Sequence, residues 1–316
     1  MTTTVAARSE PVPTGDEPVA VHVEDLGKHY HAPLRGPRGG VWALRHCGFT
    51  LPPGRVAALV GANGAGKTTL LSVLAGVLAP DEGAVAIDPN RATGRETAGR
   101  VAFVAQEKPL YPRFTVADML RLGAHLNRMW DQRTALRWLD RFDIPLKQAC
   151  GRLSGGQQAQ VSFAVALGSR PSVLLLDEPL SNLDPLARRE ATGELLAAAN
   201  DSGMTVLLST HVVTELVGVA DHLLLLANGR LLAGGDVDGL LAQHVRYLGP
   251  RADSPPGPGD VVHATHTARQ STFLVRRADD APLDPVQEPW LATPVTLEQF
   301  VLAYLAASGT RRSDDQ

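Results

Sequence analysis

Two clusters of residues in this sequence have the types and spacing needed to work on phosphate. The first is Gly61-Ala62-Asn63-Gly64-Ala65-Gly66-Lys67-Thr68, followed by Thr69. Glycines at this spacing let successive backbone N–H groups turn inward around phosphate oxygens. The helix expected next aims the positive end of its dipole at the same point. Lys67 is placed to reach the β- and γ-phosphates of a nucleotide, and Thr68 offers a hydroxyl to Mg2+. The second cluster is Val173-Leu174-Leu175-Leu176-Asp177-Glu178, an apolar run ending in two carboxylates. Asp177 can hold a Mg2+ shell and Glu178 can accept a proton from an attacking water. A glycine-rich structural turn and a strand that happens to end in acids are the bland alternatives. Their occurrence together argues against both.

A third segment, Leu153-Ser154-Gly155-Gly156-Gln157, precedes a helix-forming stretch. It combines a serine hydroxyl, two flexible glycines and a helix N-terminus, which makes a second anion cradle. A plain helix cap containing glycines would look similar. One nucleotide does not need two γ-phosphate cradles within one lobe, so this one is expected to close over the nucleotide of another copy.

Phosphate loop, cradle and carboxylate pair, in that chain order, resemble the nucleotide-binding subunit of ATP-binding-cassette (ABC) transporters over residues 19–241. The resemblance implies ATP and Mg2+ as ligands, ATPase activity, and residue roles that follow the family's motifs. Tyr30 corresponds to the aromatic that stacks on adenine. Gln106 corresponds to the glutamine that senses Mg2+ and links hydrolysis to the membrane partner. Ser154, Gly155 and Gly156 correspond to residues that contact the γ-phosphate across a dimer. Ser181-Asn182-Leu183-Asp184 corresponds to the loop between the two sites, and His211 to the switch histidine. Glu178, His211, Gln106 and Lys67 then form the catalytic set, and Thr68, Gln106 and Asp177 the Mg2+ set. Where the family often has arginines after the cradle, this chain has Gln158-Ala159-Gln160.

The resemblance also implies partners: a separately encoded membrane-spanning permease, and a second nucleotide-binding subunit in a homodimer or heterodimer. The chain would then work on the inner face of the cell membrane, held there by its permease. Residues 295–305 resemble the chain end of the bacterial drug-, lipid- or peptide-exporting branch, which implies an exporter, although importer subunits often carry regulatory C-terminal extensions. A cassette without a permease, acting in translation or DNA maintenance, is the alternative. Such proteins usually carry two cassettes, a long coiled coil or basic segments, none of which is evident here. A P-loop kinase of a small substrate would not need the cradle.

These residues require a particular frame. Strands are expected at 19–23, 56–60, 84–87, 101–105, 173–176, 205–209, 223–226 and 231–233. Helices are expected at 67–75, 156–167, after Asp184-Pro185 and from about 213. Alternating strands and helices imply an α/β fold, of the P-loop NTPase class, with a mostly parallel sheet. The resemblance adds an antiparallel β subdomain at its N-terminal side. Residues 107–152 break the alternation as a helical insertion. Thr115-Val116-Ala117-Asp118 reads as a capping box, and a second helix covers about 131–142. Trp130, Trp138 and Phe142 are expected to fill the insertion's small core or to line a groove for the partner. Residues 1–18 read as a disordered tail and 31–40 as an exposed loop. Residues 19–243 form the nucleotide-binding domain and 244–316 a small α+β accessory region with a Pro-rich linker at 250–258. In its last helix Leu297, Phe300, Val301, Tyr304 and Leu305 share one apolar face.

Composition limits the remaining choices. Of the 316 residues, 44% are hydrophobic and 20% charged, an ordinary globular balance. The formal net charge of -3 comes with no basic stripe, so nucleic acid is not an expected partner. Cys47 and Cys150 stand alone and read as free thiols. No apolar run approaches the length of a membrane span, and the histidines, His263 and His266 included, lack metal-ligand spacing.

Overall fold

The computed structural model describes residues 18–31, 40–88, 100–107, 109–181, 183–277 and 286–310. Residues 1–17, most of the loop expected at 31–40, and Asn182 lie outside the described residues. In chain order the elements are β1 Val21–His31, β2 Gly40–Leu51, β3 Val56–Val60, α1 Lys67–Leu74, β4 Glu82–Ile87, β5 Val101–Val104, α2 Val116–Leu126, α3 Gln132–Arg141, α4 Gly155–Gly168 and β6 Val173–Leu176. They continue with α5 Pro185–Ser202, β7 Thr205–Thr210, β8 His222–Ala227, β9 Arg230–Asp236, α6 Val237–Ala242, β10 His244–Pro250, β11 Asp260–His266, β12 Gln270–Arg276, β13 Leu291–Pro294 and α7 Leu297–Thr310.

The central sheet has six strands in the order β5-β6-β7-β3-β8-β9, parallel except for the last pair. β3, β6, β7 and β8 are buried along their whole lengths. Strands covered on both faces read as continuous apolar runs without alternation, which is why they are legible in the sequence. A three-stranded antiparallel sheet, β2-β1-β4, covers one side and shares a core with α1 through Leu44, Phe49, Leu70 and Leu71.

The helical insertion docks on α4. Thr115 caps α2 through a reciprocal capping box with Asp118, and Asp131 caps α3 through the Thr134 N–H. The indole N–H of Trp138 donates to Gln160 Oε1 at 2.9 Å, and its ring lies 5.3 Å from Phe163 and from Phe142. The tryptophan therefore fills the seam between insertion and core.

Beyond the central sheet, β11-β12-β10-β13 form a four-stranded antiparallel sheet. α7 starts at Thr296, whose hydroxyl accepts from the Gln299 N–H. It buries Leu297, Phe300 and Val301 in the same apolar cluster as the central sheet. His244 joins these parts. Its Nδ1 faces Leu240 O at 2.7 Å and its Nε2 faces the Tyr304 hydroxyl at 2.9 Å.

Several elements differ from expectation. The helix expected from 213 is a single 3-10 turn, Val213–Leu216. β2, α6, β10 and β13 were not read from the sequence. Both cysteines are buried free thiols whose pKa values burial raises, so they are poor nucleophiles. No helix among the described residues is long and apolar enough to cross a membrane.

Candidate functional site

Residues 61–66 link the end of β3 to the start of α1. Two glycines there are required by sterics. A Cβ on Gly61 would stand 2.3 Å from Leu226 O. Gly66, at φ +108°, would bring its Cβ to 2.5 Å from Ala43 O. The loop is also held from outside: the Gly229 N–H, in the β8–β9 turn, donates to Ala65 O at 3.0 Å. Ala62, Asn63 and Gly64 are exposed, Thr68 is exposed and Thr69 half-buried. Lys67 is buried, and its ammonium donates to Gly61 O at 2.8 Å and Ala62 O at 3.3 Å.

The carboxylate pair sits at the carboxyl end of β6, beside this loop. Asp177 is fully buried and its Oδ1 accepts from the Ser209 hydroxyl at 2.7 Å. Ser209 Oγ in turn accepts from the Glu178 backbone N–H at 2.8 Å. Ser209 thus orders both acids. Sequence reading missed this role, and the only available signal was a hydroxyl at the carboxyl end of a neighbouring parallel strand. Glu178 adopts φ 44°, a left-handed conformation that non-glycine residues rarely hold. That geometry turns its carboxylate toward Lys67 Nζ, 3.7 Å away, and toward His211 Nδ1, 3.2 Å away. Lys67, Asp177, Glu178 and His211 therefore converge at one end of the sheet.

Asp177 Oδ2 is buried and has no hydrogen-bond partner among the described residues. A buried, unpaired carboxylate oxygen is a hard anionic ligand in need of a cation. No group of three or more His, Cys, Asp or Glu side chains among the described residues could hold a metal alone. Mg2+ arriving with phosphate fits this carboxylate oxygen, and Asp177 and the Thr68 hydroxyl are the residues that would hold it.

The other expected site residues fall in three places. Gln106 is exposed two residues beyond β5, at the same sheet end, where the Asp177 N–H donates to Val104 O at 2.9 Å. Tyr30 lies on β1, 45% exposed, opposite Val41. Val41 is two residues along β2 from Ala43, whose carbonyl overlies Gly66. The cradle forms the N-terminus of α4. Ser154 and Gln157 cap it reciprocally, at 3.0 and 3.2 Å, and Leu153 is buried beneath it. Ser154 and Gly155 are exposed, while the Gln157 N–H is taken by the Ser154 hydroxyl. Among the described residues, none of 153–157 bonds to the phosphate loop.

In the 181–184 loop the Ser181 hydroxyl donates to Glu178 O at 2.9 Å. Leu183 is buried, and Asp184 caps α5 by accepting from the Leu186 and Ala187 N–H groups.

Residues 44–181 match the family model described as ABC transporter. The hemin import ATP-binding protein of Bordetella pertussis is 38% identical over 248 residues, covering 71% of this chain and 94% of that protein. The chain belongs to the ABC transporter family. The aliphatic sulfonates import ATP-binding protein of Corynebacterium glutamicum is 41% identical over 212 residues, covering 65% of this chain and 82% of its own. A solved ATP-binding subunit of an ABC transporter superposes with a TM-score of 0.60 at 29% identity, over 71% of this chain and 92% of that one. As an ABC ATP-binding subunit the chain is an ATPase with the P-loop cassette fold. The exporter expectation is corrected by these relatives. They are named as import proteins, so the resemblance of residues 295–305 to an exporter chain end is not supported.

Proposed function

We propose that this ABC subunit hydrolyses ATP to drive uptake through a separate membrane-spanning permease, on the inner face of the membrane. The convergence of Lys67, Asp177, Glu178 and His211 carries the hydrolytic part of this reading. Import is supported by the relatives' names, which specify sulfonates, hemin, thiamine and molybdenum. Four unrelated cargoes on one kind of ATPase support cargo recognition by the permease.

In this mechanism the loop amides and Lys67 bind and neutralise the phosphates, releasing Lys67 from Glu178. Glu178 then orients water in line with the γ-phosphate and takes its proton. His211, hydrogen-bonded to Glu178, fixes that carboxylate and supports charge developing on the phosphate. Mg2+, when bound with the nucleotide, would be held by Asp177 and Thr68 and would supply charge neutralisation to the phosphates.

The cradle exposes Ser154 and Gly155 and, among the described residues, makes no hydrogen bond to its own phosphate loop, which supports its closing on a second copy's nucleotide. Tyr30 stacks on the base. Gln106 leads directly into an exposed aromatic pair, Tyr111 and Phe114, with ring centroids 5.0 Å apart. We assign permease docking to this patch.

The test is capture of tagged Glu178→Gln protein with Mg-ATP from detergent-solubilised membranes, followed by mass spectrometry. A stoichiometric multi-spanning protein supports the reading, and uptake measured in vesicles containing that complex gives direction. Recovery of only ribosomal, DNA-associated or self contacts would refute it.

A further inference from the structure

We infer that Arg188 is a positioning residue for ATP hydrolysis, clamping the 181–184 loop to the segment that carries His211. This rests on the ATPase assignment and extends it to a residue outside the catalytic set, acting through Glu178 and His211.

Arg188 lies in the first turn of α5, and its guanidinium spans two separate pieces of chain. Nη2 donates to Leu183 O at 3.2 Å, and Nη1 donates to the Glu215 carboxylate. Glu215 belongs to the Val213–Leu216 turn, which leaves β7 just after His211. A planar fork can hold a carbonyl and a carboxylate at once, and a lysine ammonium does so poorly.

The contacts close a ring. From Glu178 the path runs through the Ser181 hydroxyl on Glu178 O, along the chain to Leu183, across Arg188 to Glu215 and back to His211. His211 Nδ1 returns to Glu178 Oε1 at 3.2 Å. The ring borders a cavity of about 130 Å³ that Glu178, Ser181, Arg188, His211 and Glu215 all line. Its outer side is firm. Leu216 is buried, and the 213–216 turn packs against α7.

The pair is also unlike an ordinary surface salt bridge, which contributes little. Only about a quarter of each side chain is exposed, 28% for Arg188 and 25% for Glu215. Among the described residues Arg188 Nε is buried without a hydrogen-bond partner, an unfavourable placement that keeping both other contacts offsets. Without Arg188 the Leu183 carbonyl and Glu215 lose their common partner. His211 and the 181–184 loop can then drift independently of Glu178.

The experiment compares full-length wild type with Arg188→Gln, Glu215→Gln, the double variant and Arg188→Lys. For each, kcat, KM for ATP, nucleotide affinity and melting temperature are measured. Each single Gln variant is expected to lower kcat about 3- to 30-fold, with KM and nucleotide affinity within about twofold, as removal of an indirect contact requires. The double variant should be no slower than the slower single, and Arg188→Lys should stay slow. Unchanged kcat, or losses that add in the double variant and follow the fall in melting temperature, would overturn the clamp. If Arg188→Gln does not fold, Glu215→Gln alone decides, since it leaves α5 untouched. Wild type without ATP turnover refutes the ATPase assignment itself. An active wild type matched by active variants refutes only the clamp.

Discussion

Replacing Glu178 by Gln separates binding from chemistry at this site. In the structure the Glu178 carboxylate stands 3.7 Å from the Lys67 ammonium, with the two side chains 14% and 6% exposed. At an effective dielectric near 20 that separation corresponds to roughly 4 kcal/mol of gross attraction. Desolvation offsets most of it, leaving about 1 kcal/mol that ATP must displace when it takes Lys67. Glu178→Gln removes the charge, keeps the shape and still accepts from His211. ATP should therefore bind at least as tightly, by up to about fivefold in Kd. Hydrolysis loses its base, and kcat should fall about 10²–10⁴-fold, or roughly 3–5 kcal/mol in the barrier. Equilibrium binding of a fluorescent ATP analogue and single-turnover phosphate release read the two effects separately. A variant that hydrolyses at the wild-type rate, or that binds ATP tenfold more weakly, would refute the reasoning.

Three further outcomes are expected. Gly66→Ala forces a side chain into φ +108° and its Cβ to 2.5 Å from Ala43 O; it should lower unfolding free energy by about 2–3 kcal/mol and weaken ATP binding, as read by denaturation and nucleotide titration. Phe300→Ala removes a fully buried ring where α7 meets the central core; a loss of about 3–5 kcal/mol is expected in urea unfolding, and a loss under 1 kcal/mol would show that α7 does not dock there. Burial lowers the pKa of His244 from 6.5 to about 4, so between those values the unfolded chain binds the extra proton. Stability should then be full above pH 6.5 and fall by about 3 kcal/mol as pH drops toward 4. His244→Asn should flatten that slope without abolishing it, because His222 is shifted in the same direction by burial.

Local order in the chain was sufficient for the chemistry. Glycine spacing before Lys67 and the carboxylates after an apolar run place the phosphate site, because loop geometry and strand ends follow from neighbouring residues alone. The capping box at Thr115 is equally local, and it forms. Continuous apolar runs gave β3, β6, β7 and β8 because parallel strands are buried on both faces. β2 and β10 were not legible, since each is specified by partners distant in sequence, β1 for one and β12 and β13 for the other. The same reason hid Ser209, Gly229 and Arg188. Their own neighbourhoods place them at a strand end, in a turn and on a helix, but do not show these contacts. Each acts by filling the hydrogen-bonding needs of a residue that only folding brings near: Asp177, Ala65 and Leu183 respectively. The last helix shows the limit most directly. Its apolar stripe was correct in the sequence, yet what covers a stripe is decided by the rest of the molecule, and here that is this chain's own core.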